Sequence, residues 1–196
     1  IGLVGLVDFG VAPGMSNLFV GYHQKKMKDL ERVEILVGGL PAAREFPFEY
    51  KAPFSPADVI EEYTRPARYV ENGHVVVKPA LSDVENMDFP EIGTLEAFNS
   101  DGLRSLLATM KVPNMIEKTL RYPGHVGHIR ALRDSGFFGG EEIEVRGRSV
   151  RPLDVTSAVL FKHWRLHEDD DEFTIMRIIV EGEENGRPKR YTYGLF

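Results

Sequence analysis

The sequence predicts an α/β (α+β) protein with a mixed, largely antiparallel sheet and helices on one face. Short runs rich in β-branched and aromatic residues alternate with runs whose apolar residues recur at helical spacing. In the second half, strand-like runs outnumber the helices that could connect parallel strands, which favours antiparallel pairing. With 196 residues, 42% of them hydrophobic, the chain is long enough to bury a substantial core.

The first half predicts a strand–helix–strand unit followed by a helix and a hairpin. Residues 1–8 form an apolar run typical of a buried strand, and Pro13 suits the first turn of the helix that follows. Residues 33–37 predict a second strand. The Ser-Pro pair that opens residues 55–63 suits an N-cap and first helical turn. The Asn-Gly pair within residues 69–78 is a strong hairpin signal.

The second half predicts four strands and three helices. The strands are short apolar or β-branched runs between turn residues, at residues 94–98, 115–122, 172–181 and 189–196. Each helix begins at a capping residue or a proline: Asp101, Pro123 and Pro152. The sequence Glu184-Asn185-Gly186 predicts a hairpin turn between the last two strands.

The composition excludes several classes of function. There is no cysteine, so a disulfide scaffold, a thiolate metal site and a cysteine nucleophile are excluded. A net charge of −6 gives no support for nucleic-acid binding, which needs a clustered basic face. No apolar run is long enough for a membrane span, and no secretory signal is present. We expect a cytoplasmic protein without nucleic-acid or membrane partners, and no metal site, since His125 and His128 lack a recognisable third ligand.

Two segments could bind a ligand. Residues 8–17 place two glycines and a proline between a predicted strand and a predicted helix, the position at which open α/β sheets bind ligands. A helix N-terminus there favours an anionic or polar group. A tight structural turn capped by Asp8 explains the same residues equally well. Gly38-Gly39 follows the second predicted strand and is a weaker signal of the same kind.

Residues 117–125 form the segment with the most chemistry. A predicted strand ends in Arg121 and Tyr122, and His125 follows at the start of a predicted helix. The guanidinium of an arginine matches a carboxylate, and tyrosine and histidine can exchange protons. The residues alone favour a structural interpretation, in which Arg121 pairs with a surface acid and Tyr122 and His125 pack as half-buried side chains.

Taken together, four segments resemble the saccharopine dehydrogenase-like family, specifically its C-terminal catalytic and dimerisation region. The segments are residues 7–17, 38–41, 93–98 and 117–125. They occur in the family's order, and the resemblance covers nearly the whole chain.

The resemblance implies an NAD- or NADP-dependent oxidoreductase with an amino-acid substrate, active as a homodimer or larger homo-oligomer. Residues 1–32 would be the last strand and helix of a Rossmann domain. Residues 33–196 would be the substrate-binding and dimerisation domain, truncated at both ends relative to the family. The cofactor would be bound mainly by a domain absent from this chain, so the fragment alone would be inactive.

The branch of the family depends on the residues after Asn99. Saccharopine-handling members carry an arginine there that grips a second dicarboxylate arm, whereas this chain continues Ser100-Asp101-Gly102. That resembles the lysine 6-dehydrogenase branch, which oxidatively deaminates the lysine side-chain amine. A saccharopine dehydrogenase, a carboxynorspermidine-type reductase and a non-catalytic dimerisation module are the alternatives.

The resemblance also implies roles for particular residues. The catalytic candidates are Asp8, Glu96, Tyr122 and His125. The substrate-binding candidates are Thr119, Leu120 and Arg121, with Arg121 on the substrate carboxylate. The candidates that would line the nicotinamide are Gly14, Met15, Gly39, Leu40 and Pro41.

Overall fold

The computed structural model of the chain describes residues 2–90 and 92–196. Within these ranges the helices are α1 (Met15–Lys26), α2 (Pro56–Thr64), α3 (Leu106–Thr109), α4 (His125–Asp134) and α5 (Pro152–Trp164). The strands are β1 (Asp29–Pro41), β2 (Ala67–Glu71), β3 (His74–Lys78), β4 (Glu85–Phe89), β5 (Gly93–Asn99), β6 (Asn114–Arg121), β7 (Ile143–Val145), β8 (Arg148–Val150), β9 (Glu172–Glu184) and β10 (Arg187–Leu195).

Eight strands form one mixed sheet, which confirms the predicted fold class. The strand order is β10-β9-β1-β6-β2-β3, and β5 also pairs with β6 and carries β4 on its other side. β1 and β6 run parallel, with Ile35 opposite Glu117 and Val37 opposite Thr119. The other strand pairs of this sheet, within the described ranges, are antiparallel. β6 is therefore the strand around which the sheet is organised.

The helices pack on one face of this sheet. Side chains alternate between the two faces of a strand, so Ile35 of β1 points to the helix side and Leu36 to the other. On the helix side, Ile35 packs in one apolar cluster with Val20 of α1. Phe98 of β5 packs in a second cluster whose members from α2, α4 and α5 are Val59, Ile60, Tyr63, Val126, Ile129, Leu160 and Trp164. Burial of these side chains, at about 1.5–3 kcal/mol each, holds the helices against the sheet.

The opposite face is covered in part by the β4–β5 hairpin. Leu36 and Leu120 pack there with Phe89 and Leu95, and all four side chains are buried. Among the described residues, none of the helices has the length and apolarity needed to cross a membrane.

The predicted strand over residues 1–8 is wrong for the residues that the structure describes; Ile1 lies outside them. Residues 2–9 form no strand, and the side chains of Leu3 and Leu6 are 84% and 78% exposed. A strand needs a neighbour for its backbone N–H and C=O groups, and residues 2–9 pair with no strand of the described sheet. The predicted strand–helix–strand unit is therefore absent, although its helix and second strand both form.

Two further differences concern the middle of the chain. Asp101 does not cap a helix: its carboxylate accepts hydrogen bonds from the backbone and guanidinium N–H groups of Arg68, and the helix that follows is only Leu106–Thr109. Strand β4 and the β7–β8 hairpin were not predicted, because their side chains are mostly exposed and their sequences lack a clear apolar alternation.

Candidate functional site

A cleft of about 660 Å³ opens on the helix side of the sheet, where the parallel strands β1 and β6 both end. Its walls come from the loop before α1, the inner face of β1 and β6, helix α2 and the segment after β5. The lining residues are Asp8, Phe9, Gly10, Val11, Ala12, Pro13, Val37, Gly38, Gly39, Pro53, Phe54, Asp58, Glu61, Glu62, Arg65, Ser100, Asp101, Gly102, Arg104, Glu117, Thr119, Arg121 and Thr174. Open sheets bind ligands at this edge, beyond the carboxyl ends of parallel strands.

A closed loop before α1 forms one wall. The N–H of Gly10 donates to the carbonyl of Pro13 at 2.9 Å, and the N–H of Met15 donates back to the carbonyl of Gly10 at 2.9 Å. Gly14 has a φ of 147°, and a Cβ there would lie 2.0 Å from the Gly10 oxygen. A residue with a side chain could not close this loop, so the glycine sets the shape of the wall.

Asp8 is held by a hydrogen bond from the segment just before α3. Its Oδ2 accepts the backbone N–H of Ser105 at 2.9 Å. This hydrogen bonding from Ser105 lowers the pKa of Asp8, so the carboxylate is ionised at neutral pH.

Strand β6 presents three polar side chains in a row to the cleft: Glu117, Thr119 and Arg121. They alternate with Lys118 and Leu120, which point to the other face. All three cleft-facing side chains are buried. The hydroxyl of Thr119 donates to Oγ of Ser100 at 2.8 Å, which ties β6 to the segment after β5.

Arg121 is anchored from several sides. Its Nη2 lies 3.1 Å from Oε2 of Glu62 on α2, and its Nη1 donates to the carbonyl of Leu120 at 2.9 Å. The guanidinium also lies 4.3 Å from the ring centroid of Tyr50. Burial raises the pKa of Glu62, and the positive charge of Arg121 opposes that rise. The buried guanidinium therefore fixes Glu62 at the cleft wall.

Glu117 has no comparable partner. The residue is 3% exposed, and its Oε2 accepts no hydrogen bond from any described residue. Gly102 packs directly on the carboxyl group, where a Cβ would lie 1.7 Å from Oε1. Burial, together with the negative charges of Glu62 and Asp101, raises the pKa of Glu117 to about 8. The carboxyl is thus mainly protonated at neutral pH.

Three of the four predicted catalytic residues lie outside the cleft lining. His125 donates from Nδ1 to the Phe48 carbonyl at 2.9 Å and accepts at Nε2 from the Tyr63 hydroxyl at 2.8 Å. Burial lowers the pKa of His125 to about 3, so the ring is neutral. The Tyr122 hydroxyl donates to the Pro41 carbonyl at 2.9 Å. Glu96 accepts the N–H of residue 126 at 2.9 Å, at the start of α4. Asp8 is the member of this group that the cleft includes.

Some of the predicted substrate-binding and cofactor-binding residues line the cleft, and others lie outside it. Thr119 and Arg121 line the cleft, whereas the Leu120 side chain is buried in the core of the opposite face. Gly39 lines the cleft, but Leu40 is in that same opposite core.

The remaining cofactor candidates lie beside the cleft. The carbonyl of Pro41 is occupied by Tyr122, and Gly14 and Met15 follow the lining loop at the start of α1. Gly10 and Gly39 line the cleft without side chains, and Pro53 packs on Gly39, where a Cβ would lie 2.9 Å from the proline Cγ.

The sequence analysis missed Glu62 and Glu117. The sequence did contain a signal for Glu117. Polar residues recur at positions 117, 119 and 121 of β6, and a strand that pairs with the apolar strand β1 is expected to be buried. Glu62 gave no signal, because an acidic residue on a short surface helix is ordinary.

Carboxylates outnumber guanidinium groups in the cleft. The acidic lining residues are Asp8, Asp58, Glu61, Glu62, Asp101 and Glu117, and the basic ones are Arg65, Arg104 and Arg121. Each arginine is within ion-pair distance of one of these acids, namely Glu61, Asp101 and Glu62. The three arginines balance three acids, and Glu117 is mainly protonated at neutral pH. Asp8 and Asp58 therefore remain in excess and give the cleft a negative potential that favours a cationic ligand.

Comparison with known proteins agrees with this description. The family model described as the saccharopine dehydrogenase C-terminal domain matches residues 10–196. The carboxyaminopropylagmatine dehydrogenase of Synechocystis sp. is 25% identical over 197 residues, which cover 97% of this chain and 48% of that protein. The structure of apo histidine-tagged saccharopine dehydrogenase (L-Glu forming) from Saccharomyces cerevisiae aligns with a TM-score of 0.73 and 16% identity, covering 93% of this chain and 57% of that one. The chain thus spans about half the length of these two proteins.

Replacing Glu117 with Gln should change how stability depends on pH. The folded carboxyl has a pKa raised from 4.5 to about 8, so between these values the folded state binds more protons than the unfolded state. Wild-type stability therefore falls as pH rises through this window, by at most about 1.4 kcal/mol per pH unit. The E117Q variant lacks this titration and should gain stability over wild type as pH rises.

Urea denaturation across that pH window measures the difference in free energy of unfolding. Glu144→Gln, at an exposed position of β7, is the control and should track wild type. Parallel curves for E117Q and wild type would show that Glu117 titrates normally.

Proposed function

Because the chain belongs to the saccharopine dehydrogenase C-terminal domain family, we propose that it is the substrate-binding part of an NAD(P)-dependent oxidoreductase acting on a CH–NH bond. The observation that carries the proposal is the cleft, in which the buried guanidinium of Arg121 lies among an excess of carboxylates. A guanidinium suits a carboxylate, and the acids suit an ammonium group. These are the two charged groups of an amino acid that bears a side-chain amine.

The two parts of the chain are proposed to have the roles that the resemblance implies. Residues 1–32 would complete a nucleotide-binding domain, and residues 33–196 would bind substrate. The exposed apolar side chains of Leu3, Leu6 and Phe9 support an additional packing surface around the first segment. Helix α1, however, packs through Val20 on the sheet itself, so the two proposed parts share a core. The homo-oligomer and the cytoplasmic location stay predictions.

The chemistry needs a hydride acceptor, and a bound nicotinamide dinucleotide supplies it. We propose that its ring lies at the part of the cleft lined by Gly10, Gly39 and Pro53. We propose that Arg121 binds the substrate carboxylate through Nε, which is buried and has no partner among the described residues. Asp8, ionised and fixed by Ser105, would hold the substrate ammonium group and so place the reacting carbon.

The first candidate substrate is lysine, whose side-chain amine would be oxidised to an imine that water then hydrolyses. The position after Asn99, where the resemblance implies an arginine in saccharopine-handling members, is Ser100, whose Oγ accepts a hydrogen bond from Thr119. The absence of an arginine at this position supports a substrate with fewer carboxylates than saccharopine. Arg104 lines the cleft further along the segment and lies 3.9 Å from Asp101.

The second candidate substrate is an N-carboxyalkyl polyamine. The observation that favours it is the acidic row of Asp58, Glu61 and Glu62 along α2, which extends the negative wall beyond Arg121. The Synechocystis relative is named for carboxyaminopropylagmatine, and a carboxynorspermidine-type activity belongs to the same class. A longer cation would use this row, whereas lysine would not need it.

The class is tested by assaying the complete enzyme, with its nucleotide-binding domain, against lysine, saccharopine and an N-carboxyalkyl polyamine. Reduction of NAD or NADP is followed by absorbance. We expect activity with at least one of these amines. The paired variant R121Q/E62Q, which leaves no unpaired buried charge, should raise KM about 10–100-fold through loss of a charge-assisted hydrogen bond, while the Kd of the cofactor is unchanged. An unchanged KM would refute the role of Arg121.

The acidic row gives a separate prediction that distinguishes the two substrates. Asp58→Asn should raise KM several-fold for a polyamine substrate, with a smaller effect at high salt, and should leave KM for lysine nearly unchanged. Asp154→Asn is a matched control, since Asp154 occupies the corresponding position of another proline-initiated helix away from the cleft. Equal KM values for D58N and D154N with every substrate would contradict a role for the row.

A further inference from the structure

We infer that Glu117 is the proton acceptor of this reaction: its carboxylate takes the proton that the substrate ammonium group loses before hydride transfer. The inference rests on the proposed function and adds a catalytic residue that neither the resemblance nor the comparisons assign.

Glu117 lies on the inner face of β6, two positions from Thr119 and four from Arg121, and all three residues line the cleft. Asp8 lines the same cleft. A substrate whose carboxylate is bound by Arg121 and whose ammonium group is held by Asp8 would therefore lie over the face of the strand that carries Glu117.

Folding alone does not explain why a carboxyl group is buried at position 117. Buried polar groups are normally hydrogen-bonded, and an unpartnered one costs stability. Thr119 follows that rule through Ser100, and Arg121 follows it with Nη1 and Nη2 but leaves Nε without a partner among the described residues. The buried Oε2 of Glu117 likewise accepts no hydrogen bond from a described residue. These two unpartnered atoms belong to side chains on the same face of β6, and both residues line the cleft.

The charges around Glu117 favour the protonated form of its carboxyl group. The groups that act on the carboxyl are Glu62 on α2, Asp101 after β5 and Asp8 before α1, which all disfavour its ionised form, and Arg104, which favours it. Tyr69 of β2 also faces this region, and its hydroxyl has no partner among the described residues. The resulting pKa of about 8 is close to the pH at which an enzyme operates, as an efficient proton carrier requires.

Asp8 and Glu117 therefore have different chemical roles. Ser105 keeps Asp8 ionised, which suits it to hold a cation without exchanging protons. Burial leaves Glu117 near its titration midpoint, which suits it to take a proton and release it. Two carboxyl groups whose surroundings drive their pKa values apart are a recurrent arrangement for acid–base chemistry.

The proposed step is balanced as follows. An N–H bond of the substrate ammonium breaks, its proton moves to Glu117, and the electron pair of that bond remains on nitrogen. That pair then forms the C=N bond as the adjacent carbon loses a hydride, with its bonding electrons, to the oxidised nicotinamide. The substrate is oxidised by two electrons, and the proton on Glu117 passes to solvent before the next turnover.

The test is the pH profile of kcat/KM for the complete enzyme with its best amine substrate. Wild type should show kcat/KM rising tenfold per pH unit and levelling off near pH 8, where Glu117 is ionised. Glu117→Gln should remove that rise and lower kcat/KM by about 10²–10⁴-fold, with the Kd of the cofactor unchanged. Glu117→Asp should keep the rise at a shifted pH, and Glu144→Gln should match wild type.

A second readout does not depend on activity. In ¹³C-glutamate-labelled protein, one carboxyl should titrate near pH 8, and its signal should be missing from folded E117Q. The inference is overturned if E117Q keeps wild-type kcat/KM and its profile, or if no glutamate titrates in that range in an active enzyme. A wild-type enzyme that oxidises none of the three amine classes would instead overturn the proposed function, and the inference with it.

Discussion

The structure depends on the burial of three polar side chains on the inner face of one central strand. Strand β6 pairs with β1, β2 and β5, so the polar groups of its inner face are largely shielded from water and meet it only at the cleft. Two of the three side chains have a partner from the elements above them. Thr119 takes Ser100, and Arg121 takes Glu62 and the ring of Tyr50. The Arg121 guanidinium is buried, whereas the Glu62 side chain is 29% exposed. These contacts tie α2 and the segment after β5 to the strand.

The cleft follows from this constraint. The parallel alignment of β1 and β6 brings two carboxyl strand ends to the same edge of the sheet, where Pro53 packs on Gly39. Helix α2, held by Arg121, closes one side and contributes acids. The loop closed at Gly14 forms the other side and carries Asp8. The hydrogen bonds and the ion pair that the polar side chains of β6 make thus bring the Arg121 guanidinium and several acids together in one cleft.

Much of the fold could be predicted because its signals are local. The Asn72-Gly73 hairpin, the proline at the start of α2 and the apolar runs of β1 and β9 each specify their own element. Residues 2–9 show the limit of such signals, since an apolar run becomes a strand only beside a partner. β4 shows the converse: Glu85–Phe89 is paired with β5 although its side chains are mostly polar.

The site was less predictable, because its chemistry arises from contacts between distant segments. His125 has the residue type of a catalyst, yet the Phe48 carbonyl and the Tyr63 hydroxyl occupy both of its nitrogens in the core. Glu117 has an ordinary residue type and becomes unusual only through Gly102 and the acids around it. Asp8, Thr119, Arg121 and Gly39 were named by resemblance rather than by local pattern, and all four line one cleft; their roles stay predictions. The most direct measurement is a crystal structure of the complete enzyme with an unreactive amino-acid substrate analogue. We expect the amine of the analogue within about 3 Å of Glu117 and its carboxylate at Arg121. An analogue bound away from the inner face of β6 would contradict the account.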